Sequence, residues 1–571
     1  MEDNMAHTEL GTLLVRASKK LYEAVDDAYS LDEWKTQMVC LINEIAQLKL
    51  LCSSTTTIPQ RCMNTTSLDP VDWSSAKNVA HKTLDATLNC IQTRRDKPVW
   101  QPVPDDVRSV INDESLPEHG LTLAKVCDDV LNYVLPYARG NTHPRFWGWA
   151  MGEGTLGGIL AEMLAATINI NAGGCTHSAV LVERKVIHWM RQIFGFPKVE
   201  HGGIVVSGTS MATIIALASA RRRFLTNVRE DGIANAPRLI VYASTEVHMC
   251  VIKALELLGM GSKAIHFISV DRDFRMNIDE LKTAIDDDQK NGFLPFCVIG
   301  NAGTHVSQTG SIHFRLFIPG TVNTGAFDNL LEIASIARTQ NLWFHVDGAF
   351  GSLIILDPQR RHLIHGIEQA DSLAFDFHKW LHCPYDAGCV LIRDGNDLLS
   401  TFSVHQSYLA NTERGCAGDK PWFCDLGSEL SRTFRALKVW FTLREHGTIK
   451  LGEKIADNCE QAQYLGSLLE KHASLVRVIR PITLNIVNFR VEPEELDRSN
   501  EALIDVFNNE LLNDIQISGI AVASTTRIHS RLYIRVCIIS HRTVLEDFDI
   551  FVNNLFAMCR TRLHNLNSSV N

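Results

Sequence analysis

The sequence lacks any run of about 18 apolar residues, the length a helix needs to cross a bilayer, so no transmembrane span is expected. It also lacks an excess of basic residues, because 55 lysines and arginines stand against 65 aspartates and glutamates, for a net charge of −10. We therefore expect no nucleic-acid-binding surface. The start of the chain shows no signal-peptide pattern of basic and apolar blocks, which favours a cytoplasmic protein.

Cysteines are present but unpatterned. The 15 cysteines are scattered over 571 residues without the paired spacing of a zinc site, so we expect reduced thiols and no bound metal. Apolar residues make up 45% of the chain and charged residues 21%, as is typical of a soluble globular protein. These values exclude fibrous and wholly disordered classes.

Hydrophobic periodicity divides the chain into four parts. Residues 1–66 predict a helical extension that ends in a polar linker, and residues 67–140 predict a second helical segment. Residues 141–440 alternate short apolar strands with helices, which indicates a mostly parallel sheet covered on both faces. Residues 441–571 predict a smaller α/β domain. The fold class is therefore α/β, with ligands expected at the carboxyl ends of the strands of the large sheet.

Two strand ends carry the strongest candidates for chemistry. Residues 342–351 contain Asp347 at the end of one apolar strand, and residues 371–380 contain Lys379 just after another. An aspartate before glycine is more often a turn residue, and a lone lysine is more often a solvated surface group. The apolar flanks of Lys379, however, predict a desolvated amine with a lowered pKa, which suits a Schiff-base nucleophile.

Such a lysine suits pyridoxal 5′-phosphate as a cofactor. The ring nitrogen of this cofactor needs a carboxylate partner to stay protonated, and Asp347 is the candidate. Its phosphate needs backbone N–H groups at the start of a helix, with hydroxyls nearby. A strand-to-helix turn supplies them with Ser207, Gly208, Thr209 and Ser210. His248 is a candidate to stack on the ring, although a histidine that merely opens a helix is an equally good interpretation.

Taken together, these motifs resemble the pyridoxal-phosphate-dependent amino-acid decarboxylases, the group that contains the aromatic-L-amino-acid and glutamate enzymes. The resemblance extends over most of the chain. It implies that Lys379 carries the internal aldimine, that Asp347 pairs with the ring nitrogen, and that His248 stacks on the ring. It further implies that Ala349 packs on the other ring face and that His378 adjoins the phosphate loop.

The same resemblance implies fold type I of the pyridoxal-phosphate-dependent transferases, which is the aspartate aminotransferase-like fold, and a homodimer. It implies a carboxy-lyase that converts an L-amino acid to its amine and carbon dioxide. Trp147, Trp149 and Met151 fall where the family lines its substrate pocket. These side chains favour an aromatic or other apolar substrate, with glutamate as the runner-up, although tryptophan and methionine also pack in ordinary cores.

One departure from the family pattern interrupts a motif after Thr304. The 17 residues from His305 to Thr321 separate two halves that the family reads continuously, and excising them restores the motif. The inserted segment is too apolar for an ordinary surface loop. We hypothesise a translated intervening sequence or a gene-model error, and either would leave this version of the chain catalytically impaired. The alternative is a real loop that packs over the site or at the dimer contact.

A second departure concerns the proton donor. Decarboxylases of the aromatic group carry a tyrosine on a mobile loop, whereas relatives with phenylalanine there form an aldehyde in an oxygen-consuming reaction. Residues 411–430 contain no tyrosine, and ungapped counting puts Phe423 in that position, with Tyr408 before the loop. His248 is another candidate donor. We favour simple decarboxylation and keep a decarboxylation-dependent aldehyde synthase as the alternative.

Three interpretations from other classes are less favoured. Residues 152–157 fit the GxGxxG pattern of dinucleotide-binding oxidoreductases, but the segment before them is a poor strand and the expected acidic residue is missing. His378 and His382 have the spacing of a helical metal pair, but Lys379 beside them disfavours a divalent cation. A non-catalytic scaffold is the third, and it predicts a protein without cofactor absorbance.

Overall fold

The computed structural model describes residues 67–303, 325–404, 417–418 and 420–570. The chain divides into two compact units, residues 1–81 and 82–571. Within the first unit, the described part contains the beginning of helix α1 (Trp73–Gln92). None of the helices in the described ranges is long and apolar enough to cross a membrane.

The second unit contains a large sheet of seven strands. They are β1 (Gly203–Val206), β2 (Leu239–Ser244), β3 (Ile265–Ile268), β4 (Leu294–Asn301), β5 (Trp343–Asp347), β6 (Ser372–Asp376) and β7 (Gly388–Ile392). Their order is β1-β7-β6-β5-β4-β2-β3, in which β7 is antiparallel to both neighbours and every other pair is parallel. Every residue of β2, β5 and β6 is buried, as expected of a sheet with both faces covered.

Helices precede, connect and cover these strands. They are α2 (Asp105–Asn112), α3 (Leu123–Asp129), α4 (Leu156–Ile168), α5 (Ser178–Ile193), α6 (Thr209–Phe224), α7 (Val228–Asp231), α8 (Met249–Leu257), α9 (Ile278–Lys290), α10 (Leu330–Thr339) and α11 (Gly395–Phe402). Two of them, α6 and α8, begin within a few residues of the ends of β1 and β2. Their N-termini therefore lie at the edge of the sheet where ligands are expected.

A smaller antiparallel sheet follows the long helix α12 (Ala436–Glu470). Its strands are β8 (Val476–Val478), β9 (Ile486–Val491), β10 (Ser524–Ile528) and β11 (Arg531–Cys537), in the order β10-β11-β9-β8. Helices α13 (Glu501–Ile517) and α14 (Leu545–Val570) accompany it. A separate apolar core lies between these helices and the sheet, with side chains such as Phe489, Leu511 and Phe551.

The predicted fold class is confirmed, because helices accompany a large, mostly parallel sheet. The cysteines in the described ranges are all free thiols, most of them buried in the core.

The dinucleotide interpretation of residues 152–157 is wrong. Helix α4 begins at Leu156, inside this segment, but no described strand precedes it, so the strand-turn-helix unit that binds a pyrophosphate is missing. Thr155 instead caps α4, where its side chain accepts the N–H of Gly158 at 3.1 Å.

Candidate active site

The candidate site lies where parallel strands end. Strands β5 and β6 are parallel neighbours, with Asp347 paired to Ala374, so Asp347 and Asp376 end these strands at the same edge of the sheet. Lys379 follows Asp376 by three residues in the turn towards β7. Since β1 and β6 are both antiparallel to β7, β1 also ends at this edge. Asp347 and Lys379 are thus brought to one side of the sheet.

A cavity of about 340 Å³ occupies this edge. All nine residues predicted to bind the cofactor line it: Ser207, Gly208, Thr209, Ser210, His248, Asp347, Ala349, His378 and Lys379. Four lining residues were not predicted: Cys250, Asn301, Gly303 and Asp376. Asp376 stands three residues before Lys379 at a strand end, and that position was the sequence signal that could have identified it.

The start of α6 forms an anion cradle within the cavity. Thr209 is the first residue of the helix, and its backbone N–H has no partner within the helix but is donated to Asp376 Oδ1 at 2.7 Å. The hydroxyl oxygen of Thr209 is buried and makes no hydrogen bond within the described chain. A helix N-terminus with an unpaired buried hydroxyl fits a phosphate group, and the residues present therefore fit pyridoxal phosphate at this end.

The amine that sequence analysis singled out forms an ion pair. The Lys379 Nζ lies 3.1 Å from Asp376 Oδ2. Burial is the largest single effect on the pKa of Lys379 and lowers it, but the charge and hydrogen bond of Asp376, together with Tyr385 and Asp347, outweigh burial, so the pKa is raised. The expectation of a lowered pKa is therefore wrong, because acidic groups surround the buried amine. The same pairing holds the pKa of Asp376 below its usual value despite complete burial.

His248 begins helix α8 and has a structural role as well as a place in the cavity. Its Nδ1 accepts the N–H of Cys250 at 3.1 Å, which caps the helix. Burial lowers the pKa of His248, and the carboxylate of Asp347 only partly offsets this effect. The imidazole is therefore neutral at physiological pH. Asp347 is itself buried, and its Oδ1 accepts the N–H of Ala349 at 3.1 Å.

His378 is fixed from two sides. Its Nδ1 accepts the N–H of Ala387 at 3.1 Å, and its ring lies over that of Tyr385 with the centroids 4.2 Å apart. His382 instead packs against His541, with the ring centroids 5.2 Å apart. The proposed metal pair of His378 and His382 is therefore not formed, and no metal-binding cluster of three ligand residues occurs in the described ranges.

The residues predicted to contact the substrate do not line this cavity. Trp147 has no exposed surface, because its ring stacks on Phe548 at 4.9 Å in the core of the smaller sheet. A substrate role for Trp147 is therefore not supported. Trp149 and Met151 both contact Arg139, which lies 5.2 Å from the Trp149 ring and donates to the Met151 sulfur at 3.5 Å.

Ungapped counting aligned Phe423 with the tyrosine that related decarboxylases carry on a mobile loop. In the structure, Phe423 is buried. The guanidinium of Arg432 lies 5.0 Å from its ring. Phe423 does not line the cavity, and neither its burial nor its contacts suit a mobile loop. Tyr408 and much of the surrounding loop lie outside the described residues.

The inserted segment from His305 to Thr321 also lies outside the described residues, but its flanks are defined. Ala302 and Phe327 form an antiparallel bridge, and Asn301 donates its N–H to Asp328 Oδ2 at 2.8 Å. The chain therefore leaves and re-enters the fold at adjacent points.

Comparison with known proteins identifies a matching family. The sequence model of the family described as pyridoxal-dependent decarboxylase conserved domain matches residues 104–311 and 305–492. The two stretches meet within the inserted segment. An aromatic-L-amino-acid decarboxylase of Bacillus atrophaeus is 33% identical over 473 residues, which cover 82% of this chain and 92% of that protein. A phenylacetaldehyde synthase of Arabidopsis thaliana is 27% identical over 82% of this chain and 93% of its own length.

Solved structures share the fold. The structure of Oryza sativa TDC with PLP and tryptamine has a TM-score of 0.77 at 22% identity and covers 87% of this chain and 100% of its own. The structure of mouse CSAD has a TM-score of 0.77 at 20% identity and covers 85% of this chain and 99% of its own.

Proposed function

The chain belongs to the pyridoxal-dependent decarboxylase family, and from this premise we propose that it decarboxylates an L-amino acid with an aromatic or other apolar side chain. The enzyme is a pyridoxal-phosphate-dependent carboxy-lyase. One observation carries the proposal for this chain: Lys379, Asp347 and His248 line a single cavity next to the anion cradle of α6.

Each of these residues has a proposed task. Pyridoxal phosphate, when bound, supplies an electron sink for the electron pair that remains when carbon dioxide leaves the substrate. Lys379 would hold the cofactor through its aldehyde carbon, and Asp347 would keep a proton on the ring nitrogen. The neutral ring of His248 would cover one face of the cofactor, and the first turn of α6 with Thr209 would hold the phosphate.

Charge within the cavity supports an apolar substrate. Lys379 is the only lysine or arginine among the described lining residues. Its proposed role is to bind the cofactor, so it is not available to pair with a substrate side chain. Within this cavity, an acidic substrate side chain would find no second lysine or arginine among the described lining residues, which disfavours glutamate. Similar proteins whose names specify aromatic substrates include tyrosine decarboxylase 2 of Narcissus pseudonarcissus and tryptophan decarboxylase 2 of Oryza sativa, at 28% and 26% identity.

Two alternatives are tested by the same experiment. The similarity to phenylacetaldehyde synthase supports an aldehyde-forming reaction as the second candidate. The inserted segment supports an impaired enzyme, although every predicted cofactor residue lines the cavity. The purified protein is incubated with cofactor and a panel of L-amino acids, and carbon dioxide, amine, aldehyde, oxygen uptake and peroxide are measured.

Equal amounts of amine and carbon dioxide from an aromatic amino acid, without oxygen uptake, would support the proposal. Aldehyde with peroxide would establish the alternative, and cofactor absorbance without any product would indicate an impaired enzyme. Failure to acquire cofactor absorbance would favour a scaffold protein.

We also propose that the enzyme is a cytoplasmic homodimer. Helix α4 presents apolar side chains that are 43–53% exposed in the single chain, namely Leu156, Met163, Leu164 and Ile168. Exposed apolar surface of this kind is typical of a protein interface. Light scattering after size-exclusion chromatography should give a mass of twice 63.8 kDa. Cell fractionation tests the location.

A further inference from the structure

A carboxylate occupies the anion cradle. Asp376 Oδ1 accepts the N–H of Thr209 at 2.7 Å, which is the first backbone donor of helix α6. The other carboxylate oxygen of Asp376 pairs with Lys379. An acidic side chain, 3% exposed, therefore already uses the donor and the cation that an incoming anion needs.

A cofactor phosphate and an ionised Asp376 would be two anions in contact at the start of α6. Their repulsion is relieved only if one of them takes up a proton. The second pKa of a phosphate monoester is about 6, so the phosphate arrives as a dianion above neutral pH. Two like charges in contact at a buried site disfavour ionisation of both groups. Lys379 ceases to be a free ammonium when its nitrogen replaces the carbonyl oxygen of the cofactor, and this exchange releases one water and one proton next to Asp376.

Four other described groups that face Asp376 do not supply the proton between pH 7 and 9. Burial lowers the pKa of both His378 and His248, so these rings are already neutral in that range. Burial raises the pKa of both Tyr385 and Cys250, so these groups hold their protons throughout it. Among the described groups, Lys379 is therefore the source of the proton.

We propose that Asp376 couples cofactor binding to one proton: the proton that Lys379 releases enters the pair formed by the Asp376 carboxyl and the cofactor phosphate, whereas binding of an aldehyde without a phosphate releases that proton to solvent. Asp376 then faces the phosphate as a neutral hydrogen-bond donor rather than as an anion. This inference rests on the proposed function only in requiring that the protein binds pyridoxal phosphate. It makes Asp376 a residue that sets cofactor affinity according to pH.

The test measures cofactor affinity between pH 7 and 9 for the full-length wild type and for Asp376→Asn. Each protein is titrated with pyridoxal phosphate and with pyridoxal, which has the same aldehyde but no phosphate. The ratio of the two dissociation constants removes the pH dependence that belongs to Lys379. Asp386→Asn is the matched control, because Asp386 is a nearby carboxylate that pairs with Arg435 at 3.1 Å, outside the cradle.

In the wild type and in Asp386→Asn, the dissociation constant for pyridoxal phosphate divided by that for pyridoxal should rise about tenfold for each unit of increasing pH. Linkage to one proton requires this slope. In Asp376→Asn, the ratio should be nearly independent of pH, because the amide is a permanent neutral donor. Equal slopes in the wild type and Asp376→Asn would overturn the inference. Absence of pyridoxal phosphate binding by the wild type would overturn both the inference and the proposed function.

Discussion

Gly152 packs against the turn that carries the catalytic lysine candidate. A Cβ atom at Gly152 would lie 2.0 Å from the carbonyl oxygen of His378 and 2.6 Å from that of Lys379. Real Cβ atoms do not approach backbone oxygens so closely, so only glycine allows this contact. The glycine-rich segment that resembles a dinucleotide motif therefore supports the position of Lys379.

Gly152→Ala is expected to displace this turn. Overpacking of this kind costs about 1–3 kcal/mol, and we expect a lower melting temperature together with at least tenfold weaker binding of pyridoxal phosphate. Gly120→Ala is the control, because nothing lies within 4 Å of a Cβ atom there. A Gly152→Ala protein with unchanged cofactor affinity would show that the turn does not depend on this contact.

Lys379→Ala should abolish both turnover and the covalent link between protein and cofactor. The reason is that no other lysine lines the cavity among the residues that the structure describes. Reduction of the wild type with borohydride and peptide mass spectrometry should find the cofactor on Lys379. Lys282→Ala, which removes a half-exposed lysine of α9, should behave as the wild type does. Trapping on another lysine would refute the assignment.

Much of the site could be predicted because its residues follow apolar strands. Asp347, Lys379 and the turn before α6 each stand at a strand end, and the parallel order of the strands brings such ends together. His248 was a candidate from its place at the start of a helix, and the family pattern favoured its role at the cofactor ring over a purely structural one. Local sequence was enough for these residues because a strand end is a local feature.

What sequence could not predict depends on pairing across the fold. The pKa of Lys379 is raised despite burial, and not lowered, because the fold brings Asp376, Tyr385 and Asp347 around the buried amine. Trp147 was placed at the substrate because of its position in the motif. Trp147 contacts Phe548 and Thr543, which are about 400 positions later in the sequence. Hydrophobic periodicity reports only local structure, so it could not predict these contacts.

Trp147→Ala should destabilise the protein without changing its choice of substrate. Truncating a buried tryptophan costs about 3–5 kcal/mol, and the indole also donates to Thr543 at 3.3 Å. Thermal unfolding and KM for several aromatic amino acids measure the two effects. Trp147→Phe is the control that keeps an aromatic ring in the core. If Trp147→Ala changed the ratios of KM between aromatic amino acids while its melting temperature stayed that of the wild type, Trp147 would be a substrate-contacting residue after all.

Deletion of the segment from His305 to Thr321 should leave the fold and cofactor binding intact. The bridge between Ala302 and Phe327 brings the flanks together, and four residues would still connect Gly303 to Gly325. Absorbance of bound cofactor and melting temperature are compared between the two forms. Peptide mapping of the natively expressed protein then decides the origin of the segment. Peptides from inside it would rule out a gene-model artefact.

Glu246 should make stability depend on pH in the opposite sense to an ordinary carboxylate. Burial, helped by the charge of Asp328, raises the pKa of Glu246 to about 9, and its Oε2 has no hydrogen-bond partner in the described chain. The folded state thus holds a proton that the unfolded chain releases near pH 4.5. The resulting stability is complete below that pH and is lost as pH rises towards 9.

Glu246→Gln replaces the neutral acid by a group of the same shape that does not ionise. The variant should nearly match the wild type at pH 5 and exceed it at pH 8.5, because the wild type loses up to about 1.4 kcal/mol for each pH unit over which only its unfolded state ionises. Melting temperatures at both pH values measure the difference. Glu494→Gln, at an exposed position, should show no such trend. A Glu246→Gln protein that is less stable than the wild type at pH 8.5 would mean that Glu246 is ionised and paired in the folded enzyme.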